Sequence, residues 1–226
     1  MTDDVSVVSF LSGLVTEKRL DRIEEMLAQR MRYLTIVLED IYQSQNISAV
    51  LRTCECFGVQ DVHIIENYNP YNINHMVVKG SDKWLSIHRY NQSCNNSDKA
   101  VNRLKAEGYR IITTSLDECS VTPNIFDIDH GKCAIVFGNE HQGVSECFME
   151  HADEHLKIPM YGFTQSLNIS VAAGIIISQL TQKIKNSSVD WRLTDKEKES
   201  LRAEWLKCSI KNPQILLSHL AERYEY

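Results

Sequence analysis

The sequence lacks any apolar run long enough to cross a bilayer. Stretches such as Ala172 to Ile177 fall far short of the roughly 20 residues a membrane span requires, which predicts a soluble protein with no membrane partner. No signal-peptide pattern opens the chain either. Asp3 and Asp4 stand where such a peptide carries its basic segment, and Val5 to Leu11 is too short and interrupted for its apolar one, so cytoplasmic residence is expected. Paired metal-ligand spacing is missing as well: seven cysteines lie at 54, 56, 94, 119, 133, 147 and 208, with no C-x-x-C among them. Cys54 and Cys56 are two apart on a predicted helix, so their side chains diverge by roughly 200° and cannot share a metal. No metal site is expected, and the thiols are expected to be reduced and mostly buried. Positive charge is also short. A formal net charge of −6 argues against indiscriminate binding to a nucleic-acid backbone. Locally the balance reverses: from Thr181 to Pro213 eight Lys or Arg face five Asp or Glu, a net of +3. On charge alone that stretch reads as a solvated helix face. There is no internal repeat and no low-complexity tract.

What is present is an ordinary globular composition, 43% hydrophobic and 24% charged over 226 residues, enough for one substantial core with terminal extensions. Leu20, Ile23, Met26 and Leu27 recur at helical intervals and predict an amphipathic helix from about Lys18 to Arg30. The β-branched run Leu34 to Leu38 predicts a buried strand, Ile47 to Phe57 a helix closed by Gly58, and Val62 to Ile65 a second strand. Asn67 to Asn74 reads as a loop, Asp98 to Glu107 as a helix closed by Gly108, and Tyr109 to Thr114 as a strand. Further strands are predicted at Cys133 to Phe137 and His155 to Ile158, followed by a long apolar helix from Asn168 to Lys185. Strands alternating with helices predict an α/β fold with a mostly parallel sheet covered by helices on both faces. Two helical patterns follow, Thr194 to Lys207, opened by the capping box Thr194-Asp195-Lys196-Glu197, and Gln214 to Arg223. The expected organisation is an N-terminal helical extension over 1–33, a core domain over 34–186 and a C-terminal helical extension over 187–226.

Two phosphate-binding signatures fail. Gly138 to Ser145 has the glycine spacing of a P-loop, but Val144 replaces the phosphate-binding lysine, and no G-x-G-x-x-G follows an early strand. Three blocks remain at junctions where strands meet loops or helices, the usual ligand sites of α/β sheets. They are Asn46-Ile47-Ser48-Ala49-Val50-Leu51-Arg52-Thr53, then Ile135 to Val144 with Gly138-Asn139-Glu140-His141-Gln142-Gly143 at its centre, then Ile158-Pro159-Met160 followed by Gln165 to Ala172. By themselves these residues admit plain structural readings. Asn46 suits a helix N-cap, Arg52 an ion pair, Glu140 a cap or a cation partner, and Ser166 and Asn168 the mouth of the long helix.

In order and spacing the three blocks resemble the signature motifs of the SPOUT-class SpoU/TrmH RNA 2′-O-ribose methyltransferases, over about residues 34 to 184. The resemblance implies a C-terminal deep trefoil knot that holds S-adenosyl-L-methionine (SAM), a fold that pattern reasoning would otherwise reject. It implies catalytic roles for Asn46, Arg52, Glu140, Ser166 and Asn168. It implies cofactor contacts from Ile158 and Leu167, with Gly138 and Gly143 permitting close backbone approach and Thr114 matching a further contact position. Family accounts make the matching arginine a general base, whereas the planar guanidinium is better suited to holding the RNA phosphate and stabilising a developing alkoxide. A homodimer with active sites at the subunit interface is implied too. One helix before the core and two after it resemble the subclass that methylates guanosine 18 of the tRNA D-loop, as do the segments Arg22 to Arg30 and Gly80-Ser81-Asp82-Lys83-Trp84. The competing expectations are a ribosomal-RNA 2′-O-methyltransferase of the same class and a knotted RNA-binding module without catalysis.

Overall fold

The structure, a computed structural model, describes residues 4–93, 95–117 and 119–214. These fall into two compact units, one from the described residues of 1–30 and 192–226, the other from 31–191. In the first unit, α1 (Asp4–Ser12) and α2 (Glu17–Leu27) are followed, in the second, by β1 (Leu34–Glu39), α3 (Ser44–Phe57), β2 (Asp61–Ile65) and α4 (His75–Val78). A 3-10 turn at Ser81–Trp84 leads to β3 (Ser86–Tyr90), α5 (Asn96–Ala106), β4 (Arg110–Thr114), β5 (Cys133–Phe137), α6 (Glu146–Glu150), β6 (Glu154–Leu156) and α7 (Ile169–Lys185). The chain then returns to the first unit through α8 (Asp195–Ser209).

All six strands are parallel, in the order β3-β2-β1-β5-β4-β6. The order reverses between β1 and β5, so the crevice beyond their carboxyl ends is the place where an α/β sheet takes ligands. Every residue of β1, β2 and β5 is buried, because each strand alternates its side chains between two covered faces. On one face Ile36, Leu38, Ile64, Ile135 and Phe137 pack with Ile47, Leu51 and Cys54 of α3 and Ile176, Ile177 and Leu180 of α7. On the other, Val37, Ile65, Ile111 and Val136 meet Ala100, Val101 and Leu104 of α5 and Phe148 of α6. Each fully buried aliphatic side chain contributes about 1.5–3 kcal/mol relative to exposure.

Local signals close α3 and open α8 where the sequence indicated, whereas α2 stops at Leu27, short of the expected Arg30, and α8 runs on to Ser209. Gly58 closes α3 at φ 83, a left-handed conformation that costs a residue with a Cβ roughly 1–2 kcal/mol. The Thr194 side chain accepts from the Glu197 N–H while the Glu197 carboxylate accepts from the Thr194 N–H, the reciprocal capping box. Within the first unit, Arg202 donates to Glu24 from two nitrogens, and the Arg30 guanidinium lies 5.1 Å from the centre of the Trp205 ring.

Several expectations are corrected. α3 begins at Ser44 with Gln43 as its N-cap, so Asn46 is the third helical residue and not the cap. β6 ends at Leu156, which leaves Ile158 in irregular chain. Only Cys54 and Cys133 of the described cysteines are buried, while Cys56, Cys119 and Cys208 are exposed. α1, α4, β3 and α6 had no forecast, being short or lacking a clear period. The helix expected over 214–223 lies, beyond Gln214, outside the described residues.

Candidate active site

At the carboxyl end of β1 the chain turns through Asp40, whose φ of 50 is unusual for a residue with a Cβ. The turn is held by its own side chain: Asp40 Oδ1 accepts from the backbone N–H groups of Asn67, Tyr68 and Asn69 at 2.8, 2.7 and 3.1 Å. Its carbonyl accepts from the Asn69 and Asn139 side-chain amides. The loop after β2 and the loop after β5 are thereby both fastened to the end of β1. Glu66 adds a second tie, taking two hydrogen bonds from Arg89 and one from the Tyr71 N–H.

The segment 138–143 is a tight reversal. Asn139 and Gly143 exchange both backbone hydrogen bonds at 2.9 Å, and Asn139 Oδ1 accepts from the N–H groups of His141 and Gln142. A Cβ on Gly138 would run into the Gly143 carbonyl and the Val144 nitrogen, so this glycine is required by its own chain. The reversal projects Glu140 over the first turn of α3. There Oε2 accepts from the Tyr42 N–H at 3.0 Å and Oε1 from Asn46 Nδ2 at 2.9 Å. Burial would raise the Glu140 carboxyl, but these donors at the positive end of a helix outweigh it and hold the group below the usual carboxylate range. It is an anion at neutral pH.

Asn46 is buried and bridges two blocks, donating to Glu140 and accepting from Asn168 Nδ2 at 3.3 Å. Asn168 in turn is the N-cap of α7, its Oδ1 accepting from Ser170 N at 2.9 Å and Ser170 Oγ at 2.6 Å. Capping and site membership are therefore the same placement: the cap fixes one end of the amide and leaves the other for Asn46. Thr114 Oγ1 donates to the Val136 carbonyl, so its hydroxyl faces the sheet. Ile158 and Leu167 are half-buried at the two ends of an irregular loop in which Ser166 is exposed.

Arg52 stands apart. It is exposed on α3, and six helical residues correspond to about 600° of rotation, which turns it away from the buried Asn46. Among the described residues no carboxylate pairs with it. The sequence did not single out Asp40, Asn139 or Tyr42, whose roles depend on which loops meet and leave no local signature. A pocket of about 220 Å³ is walled by Glu39, Asp40, Ser97, Asn139, Gly143 and Ser145, among others, and Glu140 does not line it. The buried Glu39 carboxylate in it accepts from the Ser97 and Ser145 hydroxyls and from the Ser145 N–H.

Known proteins are similar to this chain along most of its length. Residues 33–178 match the SpoU rRNA methylase family. A tRNA (guanosine(18)-2′-O)-methyltransferase of Borreliella burgdorferi is 43% identical over 217 residues, which is 96% of this chain and 97% of that protein. The enzyme of the same name from Thermus thermophilus is 35% identical over 85% of this chain and 97% of its own. The crystal structure of the Aquifex aeolicus TrmH/SpoU tRNA modifying enzyme superposes with a TM-score of 0.74 at 32% identity, covering 87% of this chain and 98% of that one. With the three sequence blocks brought together and the match extending through all three, this chain belongs to the SpoU rRNA methylase family.

Proposed function

We propose that the protein transfers a methyl group from SAM to the 2′-hydroxyl of guanosine 18 in tRNA. The observation that carries this reading is the hydrogen-bonded chain Glu140–Asn46–Asn168, which unites the three motifs at the carboxyl end of the sheet, in a chain 43% identical to an enzyme of that name. The residues present fit the cofactor. From Ile158 to Leu167 the backbone makes no hydrogen bond to any described residue, leaving amide donors and carbonyl acceptors available for an adenine, with Ile158 and Leu167 as its apolar walls. Gly138 and the backbone at Thr114 would complete this holder, within the trefoil knot that the family implies. SAM supplies an electrophilic methyl group when bound.

The protein's part is placement and charge. Asn46 and Asn168 hold the Glu140 carboxylate in one orientation, where it accepts a ribose hydroxyl and fixes the sugar. Ser166, exposed beside Asn168, offers a hydroxyl to the same nucleotide. Arg52 grips the phosphate next to the reacting ribose and offsets negative charge as the 2′-oxygen is alkylated.

Arg52 faces away from Asn46, so a complete centre needs Arg52 from a second copy, and a homodimer supplies it. The exposed Tyr161 and Phe163, between the two parts of block three, and Val171 within its second part give such a dimer apolar surface to bury. Incubation of the protein with labelled SAM and a tRNA transcript, followed by nuclease digestion and mass spectrometry, should yield one 2′-O-methylguanosine per tRNA, at position 18. Absence of transfer to tRNA, or transfer to ribosomal RNA instead, overturns the assignment. Light scattering should give twice the chain mass; a monomer at micromolar concentration contradicts the shared centre.

A further inference from the structure

Two aromatic rings beside the carboxylate are left without work by that mechanism. Tyr42 is 65% exposed, although its backbone N–H is tied to Glu140 Oε2 at 3.0 Å. His141 is exposed, although its backbone N–H is tied to Asn139 Oδ1 at 2.9 Å. The rings meet edge to face, with centroids 6.5 Å apart and planes inclined by 64°. Among the described residues neither the Tyr42 hydroxyl nor the His141 ring makes a hydrogen bond. Anchored backbones carrying free rings form a corner whose ordering cost is largely met before any ligand arrives.

We infer that Tyr42 and His141 form a stacking corner for the purine base of the nucleotide being methylated, an inference that rests on the proposed reaction. The base and the 2′-hydroxyl are borne by adjacent ribose carbons. A nucleotide whose ribose hydroxyl lies at Glu140 therefore has its base close to that carboxylate, beside the segment in which the Tyr42 main chain is hydrogen-bonded to it. The Tyr42 face offers a π-surface, and the inclined His141 ring closes one side. Aromatic stacking is how single nucleotides drawn out of an RNA fold are held, and it suits a chain whose net charge of −6 gives little general attraction to RNA. The corner positions the base; it touches no reacting atom of the methyl donor.

The test pairs the ring with the base. Binding of the full-length protein would be measured to a tRNA transcript and to the same RNA carrying an abasic ribose at the target position, with wild type, Tyr42→Ala, Tyr42→Phe and His141→Ala. Tyr42→Ala should weaken binding of the intact RNA by roughly 5- to 100-fold, the range for loss of one stacked base, and Tyr42→Phe should restore it. His141→Ala should weaken it by a smaller factor. On abasic RNA the Tyr42→Ala and wild-type proteins should bind alike, and SAM affinity should stay unchanged throughout. An equal loss on intact and abasic RNA would show that Tyr42 merely supports the Glu140 loop, and no loss on either would show that the ring is idle; both overturn the corner. Wild-type protein that binds with base dependence yet methylates nothing leaves the corner standing and removes the reaction instead.

Discussion

The Asn46 amide donates to the Glu140 carboxylate at 2.9 Å, joining residues 94 positions apart at the point where the sheet order reverses. Because the same amide accepts from Asn168, its orientation is fixed at both ends. Asn46→Asp would set two carboxylates against each other and drive the Glu140 carboxyl upward from its depressed position. Methyl transfer should fall by about 10²-fold, as expected when a positioning group is displaced by an ångström or so, with SAM affinity retained. Single-turnover rates and calorimetry on the variant check this, and a wild-type rate would mean the bridge is only structural.

Arg52 provides the sharpest distinction between a catalyst and a binder. Arg52→Ala should lower methyl transfer by about 10²-fold or more while SAM affinity changes by no more than a small factor, since the cofactor-holding loop contains no part of α3. Arg52→Lys keeps the charge but loses the planar fork and should recover little. In a mixture of Arg52→Ala and Glu140→Gln chains, regained activity would mark centres shared between copies. Strict additivity of the two inactive populations would contradict sharing.

Gly138→Ala tests the reversal that carries Glu140. The added methyl meets backbone atoms that have no rotamer to yield, so the variant should lose about 1–3 kcal/mol of stability and most of its activity. Gly143, at φ 75, has open space for a Cβ but a conformation unfavourable to one, and Gly143→Ala should cost about 1–2 kcal/mol. Urea unfolding of both variants separates the collision from the torsional strain. Comparable activity in Gly138→Ala and wild type would show that the loop adapts.

Acid should destabilise the fold through His63. Burial, assisted by the neighbouring His88 and opposed by Asp61, pushes its ring down from 6.5 to about 3, and Nδ1 pairs with the Tyr90 hydroxyl while Nε2 has no partner among the described residues. Below 6.5 the unfolded chain takes up this proton and the folded chain does not. Stability present above pH 6.5 is therefore lost as pH falls towards 3, at up to about 1.4 kcal/mol per pH unit for one proton. His63→Phe should flatten the decline of the urea midpoint between pH 7 and 5.5, before carboxylates titrate. Parallel profiles for the two proteins would assign the acid sensitivity elsewhere.

The sequence by itself determined the α/β class, the three blocks and most helix ends, because apolar period, capping residues and terminal glycines act over a few neighbours. Gly58, the Thr194–Glu197 box and the Asn168 cap were legible for that reason. It could not place Asn46 inside its helix, since α3 begins two residues earlier, at Ser44, with Gln43 as a cap that makes no side-chain hydrogen bond, in a setting where the Glu140 anion sits over the helix N-terminus. Nor could it pair Arg202 with Glu24, 178 residues away, or fasten two loops to Asp40. The Asp40 contacts form only once parallel strands have brought distant turns to one end of the sheet, and the Arg202–Glu24 pair only once α2 and α8 pack together in the other unit. Tertiary structure alone decided that Asn46, Glu140 and Asn168 meet while Arg52, on the same helix, faces out: hydrogen bonding follows proximity in space, and a helix rotates residues six apart onto different sides.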